Sequence, residues 1–246
     1  MKYAIIAAGE GSRLTNEGIH EPKPLIKLCG EPMIERLLRI FHTLGAEETE
    51  IIVNNIRPET GNYVESLAHT GRYGKINLIR KTTPGSMHSL HHLAPLLQDA
   101  PFCLTTTDTI FDEQEFATYI HSFHPNHTDA LMAVTNYIDD EKPLYIETDN
   151  RMHITAFLDT RPPKPHYVSG GIYCLTPHTL PLLTECIHNG MTRMREFQRA
   201  LLHNDYKLIA HPFTKILDVD HASDIPKAEA FLRQTNKAHN HDTHSK

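Results

Sequence analysis

The opening run Lys2-Tyr3-Ala4-Ile5-Ile6-Ala7-Ala8 passes directly into Gly9-Glu10-Gly11-Ser12-Arg13-Leu14. An apolar run without alternating faces reads as a strand buried on both sides, as in a parallel sheet. The glycines at its exit let backbone N–H groups approach phosphate oxygens with no side chain in the way. A chain that starts so is directed toward an α/β fold, whose ligands sit at the carboxyl ends of the parallel strands.

The pattern that follows keeps this rhythm. Met33, Ile34, Leu37, Leu38, Phe41 and Leu44 fall at helical spacing over 31–45, and Gly45 stands where a cap belongs. Strands are expected at 50–56, 76–80 and 102–107, with helices at 59–68 and 112–123. Another helix is expected from Ser86, a good N-cap residue, with Pro95 ending it. Beyond residue 128 the rhythm changes. Strands at 130–135, 143–148 and 152–158 come in succession, the last two joined by Asp149-Asn150-Arg151 as a hairpin. A strand at 167–175, helices at 177–188 and 192–203, strands at 206–211 and 215–219 and a helix at 222–233 complete the pattern. The expected architecture is a Rossmann-like, mixed, mostly parallel sheet flanked by helices, with a small antiparallel hairpin added. From Thr235 the polar, His-rich remainder is expected to be disordered.

Composition narrows the function. Lys and Arg number 24 against 30 Asp and Glu, a net charge of −6, which argues against bulk attraction to nucleic acid or anionic membranes. Cys29, Cys103, Cys174 and Cys186 form no C-x-x-C pair and fit buried thiols in a reducing compartment. Met1 leads straight into a strand with no basic lead or cleavage pattern, and no apolar run approaches the ~18 residues that span a bilayer. The expectation is a cytoplasmic protein. The 19 histidines include His88, His91 and His92, and His121, His124 and His127, at helical spacing. No Cys accompanies them, and they are read as surface or helix-lining side chains. His239, His241 and His244 are the histidines of the tail.

The glycine loop matches neither common phosphate fingerprint. A dinucleotide-binding turn needs a third glycine where Leu14 stands, and a Walker A loop needs Gly-Lys-Ser/Thr where Gly11-Ser12-Arg13 stands. Two cations, Arg13 and the Lys23 of Pro22-Lys23-Pro24-Leu25, lie close by in sequence. Together, A-A-G-x-G-S-R-L followed by P-K-P-L resembles the signature of the nucleotidyltransferase superfamily, in particular the nucleoside-diphosphate-sugar pyrophosphorylases.

That resemblance runs in order to about residue 233, and implies the nucleotide-diphospho-sugar transferase fold for a domain of residues 1–234. It implies transfer of a nucleotidyl group from a nucleoside triphosphate to a sugar 1-phosphate, with release of pyrophosphate and Mg²⁺ as the cofactor. Both reactants are polyanions, so the need is positioning and charge stabilisation, with no strong base. By resemblance Ala8, Gly9, Gly11 and Ser12 cradle the triphosphate, Arg13 and Lys23 are catalytic cations, and Gly85 and Ser86 of Pro84-Gly85-Ser86-Met87 meet the base. Asp108 closes the strand Phe102–Thr107 and matches the metal-binding aspartate, with Thr107 where the family usually has Gly. Asp218 in Ile216-Leu217-Asp218-Val219-Asp220 matches the second metal ligand, with Asp220 in reserve. Ser169-Gly170-Gly171-Ile172-Tyr173 matches an Asn-Ala-Gly-Ile-Tyr segment that lies against the sugar, which points to Gly171. Asp159-Thr160-Arg161-Pro162 stands in place of Glu-Lys-Pro, making Arg161 the acceptor cation with Lys164 as the alternative. Glu141-Lys142-Pro143 spells that triplet but falls on an expected loop. Cytidylyl transfer to phosphocholine or a similar phospho-alcohol shares the N-terminal signature, and a non-catalytic nucleotide-binding module is the alternative of another class.

Overall fold

The computed structural model describes residues 1–139, 141–163 and 167–242, with side chains described to residue 237. Strand β1 (Lys2–Ala7) leads through the glycine turn to the short helix α1 (Ser12–Asn16) and a 3-10 turn at Lys23–Leu25. A small hairpin, β2 (Lys27–Leu28) and β3 (Glu31–Pro32), precedes α2 (Met33–Thr43). Then follow β4 (Glu48–Val53), α3 (Pro58–Thr70), β5 (Lys75–Arg80) and α4 (Ser86–Leu93). Strand β6 (Phe102–Thr106), the short β7 (Thr109–Phe111) and α5 (Glu113–Ser122) close this half. The second half runs β8 (Ala130–Thr135), β9 (Tyr145–Thr148), β10 (Ile154–Leu158), β11 (Tyr167–Leu175), α6 (Leu180–His188) and α7 (Met194–His203). It ends with β12 (Leu208–Phe213), β13 (Ile216–Asp218) and α8 (Asp224–Asp242).

The main sheet is mixed and helix-flanked, as the sequence pattern implies. Its order is β10-β9-β11-β6-β1-β4-β5, with β8 pairing β11 and β12 pairing β8. The β6-β1-β4-β5 part is parallel throughout. Around β11 the ladders to β6, β8 and β9 are antiparallel, and β9 and β10 form the expected hairpin. Strand β1 is buried along nearly its whole length because helices cover both faces of the sheet. One face packs Ile6, Met87, Leu90, Leu104 and Leu183; the other packs Ile5, Leu37, Phe41, Phe116 and Ile172. Asp112 caps α5, its carboxylate accepting from Gln114 N and Glu115 N at 2.9 Å.

Several details depart from the sequence pattern. Strand β13 leaves the main sheet and pairs antiparallel with β7, a strand that the pattern does not separate from β6. This pairing brings Asp218 opposite Thr109, beside Asp108. Gly85, not Ser86, is the N-cap of α4, and Ser86 is the first helical residue. A Cβ on Gly85 would lie 2.9 Å from the Thr192 carbonyl oxygen, so only glycine lets this turn pack against the loop before α7. Helix α8 extends to Asp242, well past residue 233, so the described part of the expected disordered tail is helical. No proline or glycine after Pro226 interrupts it, and Pro226 itself sits in the first turn, where its missing N–H has no partner to lose. Residues 243–246 lie outside the described residues. Among the described residues no helix is long and apolar enough to cross a membrane.

Candidate active site

The carboxyl ends of β1 and β6 open onto a cleft of about 520 Å³. Ala8, Gly9, Gly11 and Ser12 line one wall, Gly85 and Ser86 another, and Arg13, Lys23, Asp108 and Asp220 the floor. The glycine turn is fixed from outside, where Asn54 Nδ2 donates to the Gly9 carbonyl at 3.0 Å. Gly11 has φ +66° and a Cβ there would lie 3.2 Å from Lys23 Cβ, so this position suits glycine on both counts. Every sequence-expected nucleotide residue therefore meets in one place. Asn54 carries no motif, and the sequence offers no signal for it.

Charge is gathered densely at the floor. The Lys23 ammonium donates to Asp108 Oδ2 and to Asp220 Oδ1, and Arg13 Nη1 donates to Asp220 Oδ2 at 2.8 Å. Burial works against the Lys23 charge, but the two carboxylates outweigh it and hold its pKa above the ordinary lysine value. Burial likewise works to raise Asp108, and Lys23 overcomes it, holding the carboxyl below its usual range. Asp218 differs. Its carboxylate opens onto the cleft, yet the protein atoms crowded around it strip much of its hydration. That desolvation, with the negative charges of Asp108 and Asp220, pushes its pKa up to about 8. Thr109 Oγ1 donates to its Oδ1 at 3.2 Å. Three carboxylates thus exceed what Lys23 and Arg13 neutralise.

This surplus fits a hard divalent cation. Mg²⁺ prefers oxygen donors and is commonly held by one or two carboxylates, with substrate phosphates completing its shell. Among the described residues no group of three or more His, Cys, Asp or Glu side chains is gathered into a self-sufficient metal site. That includes His88, His91 and His92 of α4, and His121 of α5 with His124 and His127. The described helix α8 carries His239 and His241 beyond its described side chains, and His244 lies outside the described residues.

A second cleft of about 450 Å³ joins the first at Gly85 and Ser86 and contains Asp218 and Gly171. Gly171 has φ +72°, and its position interrupts the β11–β8 register between Ser169 and Tyr173. A Cβ there would lie 3.3 Å from the Thr109 hydroxyl that donates to Asp218. On the far wall Arg193, Arg195 and Gln198 come from the start of α7. Gln198 is buried and its amide reaches Ser169 Oγ at 3.4 Å, so Ser169 belongs to this wall.

Arg161 lies elsewhere. It is exposed and lines an outer cleft with Asp159, Arg193, Arg195 and Arg199, and it lines neither cleft that contains Asp108 or Asp218. Asp159, its near neighbour, is bound to Arg195 Nη1 and Arg199 Nη2, both at 2.8 Å. Lys164 lies outside the described residues. Glu141, Lys142 and Pro143 are on the expected loop, between β8 and β9, and the Lys142 carbonyl accepts from Arg195 Nη2 at 3.0 Å. The arginines of α7 were invisible in sequence because no motif links residue 195 to residue 159.

The comparisons with known proteins agree with this architecture. The mannose-1-phosphate guanyltransferase of Yarrowia lipolytica is 28% identical over 194 residues, covering 74% of this chain and 51% of that protein. The chain thus spans about half the length of such curated relatives. A putative glucose-1-phosphate thymidylyltransferase from Bacillus anthracis superposes with a TM-score of 0.82 at 19% identity, covering 95% of both chains. The CTP:phosphocholine cytidylyltransferase of Streptococcus pneumoniae gives 0.72 at 16% identity, covering 94% of this chain and 98% of that one. These likenesses show a shared fold, that of the nucleotide-diphospho-sugar transferases. Residues 3–205 match the family model of the MobA-like NTP transferase domain, and the chain belongs to that family.

Proposed function

We propose that residues 1–234 form a nucleotidyltransferase that moves the nucleotidyl group of a nucleoside triphosphate onto a sugar 1-phosphate. The observation that carries this is the meeting, in one cleft, of the Gly9–Gly11 turn, Arg13 and Lys23 with Asp108 and Asp220, with Asp218 opposite Thr109 in the adjoining cleft. An oxygen of the acceptor phosphate attacks the α-phosphorus, and the bond from that phosphorus to the oxygen bridging the β-phosphate breaks. Pyrophosphate leaves with that electron pair. The attacking oxygen is already ionised, so no residue has to act as a strong base.

The chain's own residues supply position and charge. The glycine turn presents backbone donors to the triphosphate, and Arg13 and Lys23 offset the charge of its phosphates. Asp108 and Asp218 would hold Mg²⁺, which lowers the charge on the reacting phosphates when bound. Asp218 suits this better than Asp220, because Asp220 is already paired with both Arg13 and Lys23 while Asp218 has no cation partner among the described residues. Gly85 and Ser86 border the cleft where a base would lie, and Gly171 borders the acceptor side.

Pyrophosphate release, measured with Mg²⁺ across four triphosphates and a set of phosphate acceptors, tests this. One base and one acceptor should stand out. Tight triphosphate binding with no pyrophosphate from any pair would favour a non-catalytic nucleotide-binding module.

A further inference from the structure

Four threonines surround Asp108 in sequence, Thr105, Thr106 and Thr107 before it and Thr109 after it. β-branched residues suit strands, which alone accounts for threonine in β6 and β7. Their hydroxyls do different things. Thr105 turns back to the main chain and donates to the Thr106 carbonyl at 3.1 Å. Thr106 and Thr109 turn to one another, their Oγ1 atoms 2.8 Å apart, and Thr109 donates onward to Asp218 Oδ1 at 3.2 Å. A hydroxyl has one proton to give. With the Thr109 proton on Asp218, the bond between the threonines is donated by Thr106. The chain therefore runs in one direction, from Thr106 through Thr109 to Asp218.

The surrounding backbone is arranged around this pair. Asp218 stands opposite Thr109 in the β7–β13 ladder, and Val219 N donates to the Asp108 carbonyl at 3.1 Å. These bonds tie the two aspartate backbones together but leave their carboxylates free to turn. Lys23 holds that of Asp108, whereas Asp218 forms no ion pair among the described residues and takes its bond from Thr109. Thr109 is buried, where a valine would fill the same volume and an unpaired hydroxyl would be costly. Gly171 leaves room for that hydroxyl, since a Cβ at 171 would lie 3.3 Å from Thr109 Oγ1. Thr106 lines the first cleft and Asp218 the second, so the hydroxyl chain links the two.

On the transferase reading above, we propose that Thr106 and Thr109 are positioning residues for the divalent cation: their linked hydroxyls hold the Asp218 carboxylate in place beside Asp108 without serving as ligands themselves. Mg²⁺ demands a near-ideal octahedral set of oxygens, so a carboxylate free to rotate binds it less well. A hydroxyl that accepts one hydrogen bond is also the stronger donor of the next, which is the part left to Thr106.

Mn²⁺ binding to the full chain, read by electron paramagnetic resonance without nucleotide and with Mg²⁺ as competitor, tests this. The signal counted is the one that Asp108→Asn removes. Thr109→Val should weaken binding by about 10-fold, and Thr109→Ser, which keeps the hydroxyl, should stay within about 2-fold. Thr106→Val, at a half-buried position, should weaken it by about 3-fold and add nothing in the Thr109→Val background. Circular dichroism and the thermal midpoint establish that each variant is folded; should Thr109→Val not fold, Thr106→Val decides. A lowered midpoint with unmoved Mn²⁺ affinity would make the threonines structural and overturn the proposal. An equal loss in Thr109→Ser and Thr109→Val, or no Mn²⁺ bound by the unsubstituted chain, would do the same. Additive losses in the double variant would take Thr106 out of the chain. Pyrophosphate release decides the transferase reading separately: a chain that binds Mn²⁺ in this way but yields no pyrophosphate from any pair loses that reading alone.

Discussion

The two clefts that meet at Gly85 and Ser86 are built in different ways. The nucleotide cleft sits on the parallel half, where each strand delivers its residues at its carboxyl end: the glycine turn after β1, Asp108 after β6. Its cations are locked onto carboxylates before any ligand arrives. The acceptor cleft sits on the antiparallel half and is assembled from β11, α7 and the loop between β8 and β9. Of its two arginines, Arg195 is paired with Asp159 and Arg193 forms no ion pair among the described residues. A parallel strand end fixes a site by local sequence, whereas an antiparallel face leaves it to whichever elements pack there.

Substitutions can separate the two. The largest effect is expected at Asp108→Asn, which should lower kcat by about 100-fold or more while the fold, followed by circular dichroism, stays intact. A variant with unchanged turnover would remove Asp108 from the reaction. Gly171→Val places a side chain against Thr109 at a left-handed backbone position, at a cost of about 1–2 kcal/mol in stability. Because Thr109 donates to Asp218, turnover should fall by about 10-fold as well, whereas triphosphate Kd should hold. Loss of triphosphate binding instead would mean that the two clefts are not separable.

A smaller effect is expected away from both. Glu113 bonds Arg39 through both carboxylate oxygens at 2.9 Å, and lies 3.4 Å from the buried Arg36. Burial opposes the Glu113 charge, but Arg39 and Arg36 prevail and hold its carboxyl below the ordinary value of 4.5. A carboxyl lowered by folding stabilises at pH above the unfolded value, and loses that contribution as pH falls through the folded one. Glu113→Gln should therefore cost about 1–2 kcal/mol at pH 7, the pair being partly solvent-screened, and the difference in denaturant midpoint should narrow as pH falls below 4.5. A gap constant with pH would assign the effect to packing. The smallest effect is expected from truncation after residue 234. Phe231 and Leu232 of α8 are buried, and 236–237 are exposed, so turnover should stay within about twofold.

Much of the nucleotide side was legible in the sequence because its residues are contiguous. Gly9, Gly11 and Arg13 share one turn, and strand β6 announces Asp108 by its apolar run. The choice between Asp218 and Asp220 was open, since residues two apart on a strand share a side. Only the pairing of β13 with β7 and the ion pairs of Asp220 distinguish them. On the acceptor side Arg161 was read from its place in a motif, whereas cleft geometry depends on α7 packing over the β9–β10 hairpin. Helix α7 shows helical spacing in sequence, but spacing does not say which face Arg193 and Arg195 turn toward another element. The extension of α8 was missed because a polar, His-rich composition suits a solvated helix as well as a disordered tail.

Phosphorus NMR of a single reaction, with the preferred triphosphate, a hexose 1-phosphate and Mg²⁺, tests most directly whether the two clefts act as one site. Signals of a new diphosphate-linked product should grow in equal amount with free pyrophosphate, and neither should appear without the hexose phosphate or with Asp108→Asn. Pyrophosphate formed with a nucleoside monophosphate and no new diphosphate linkage would contradict it, as would a triphosphate that stays bound and unchanged.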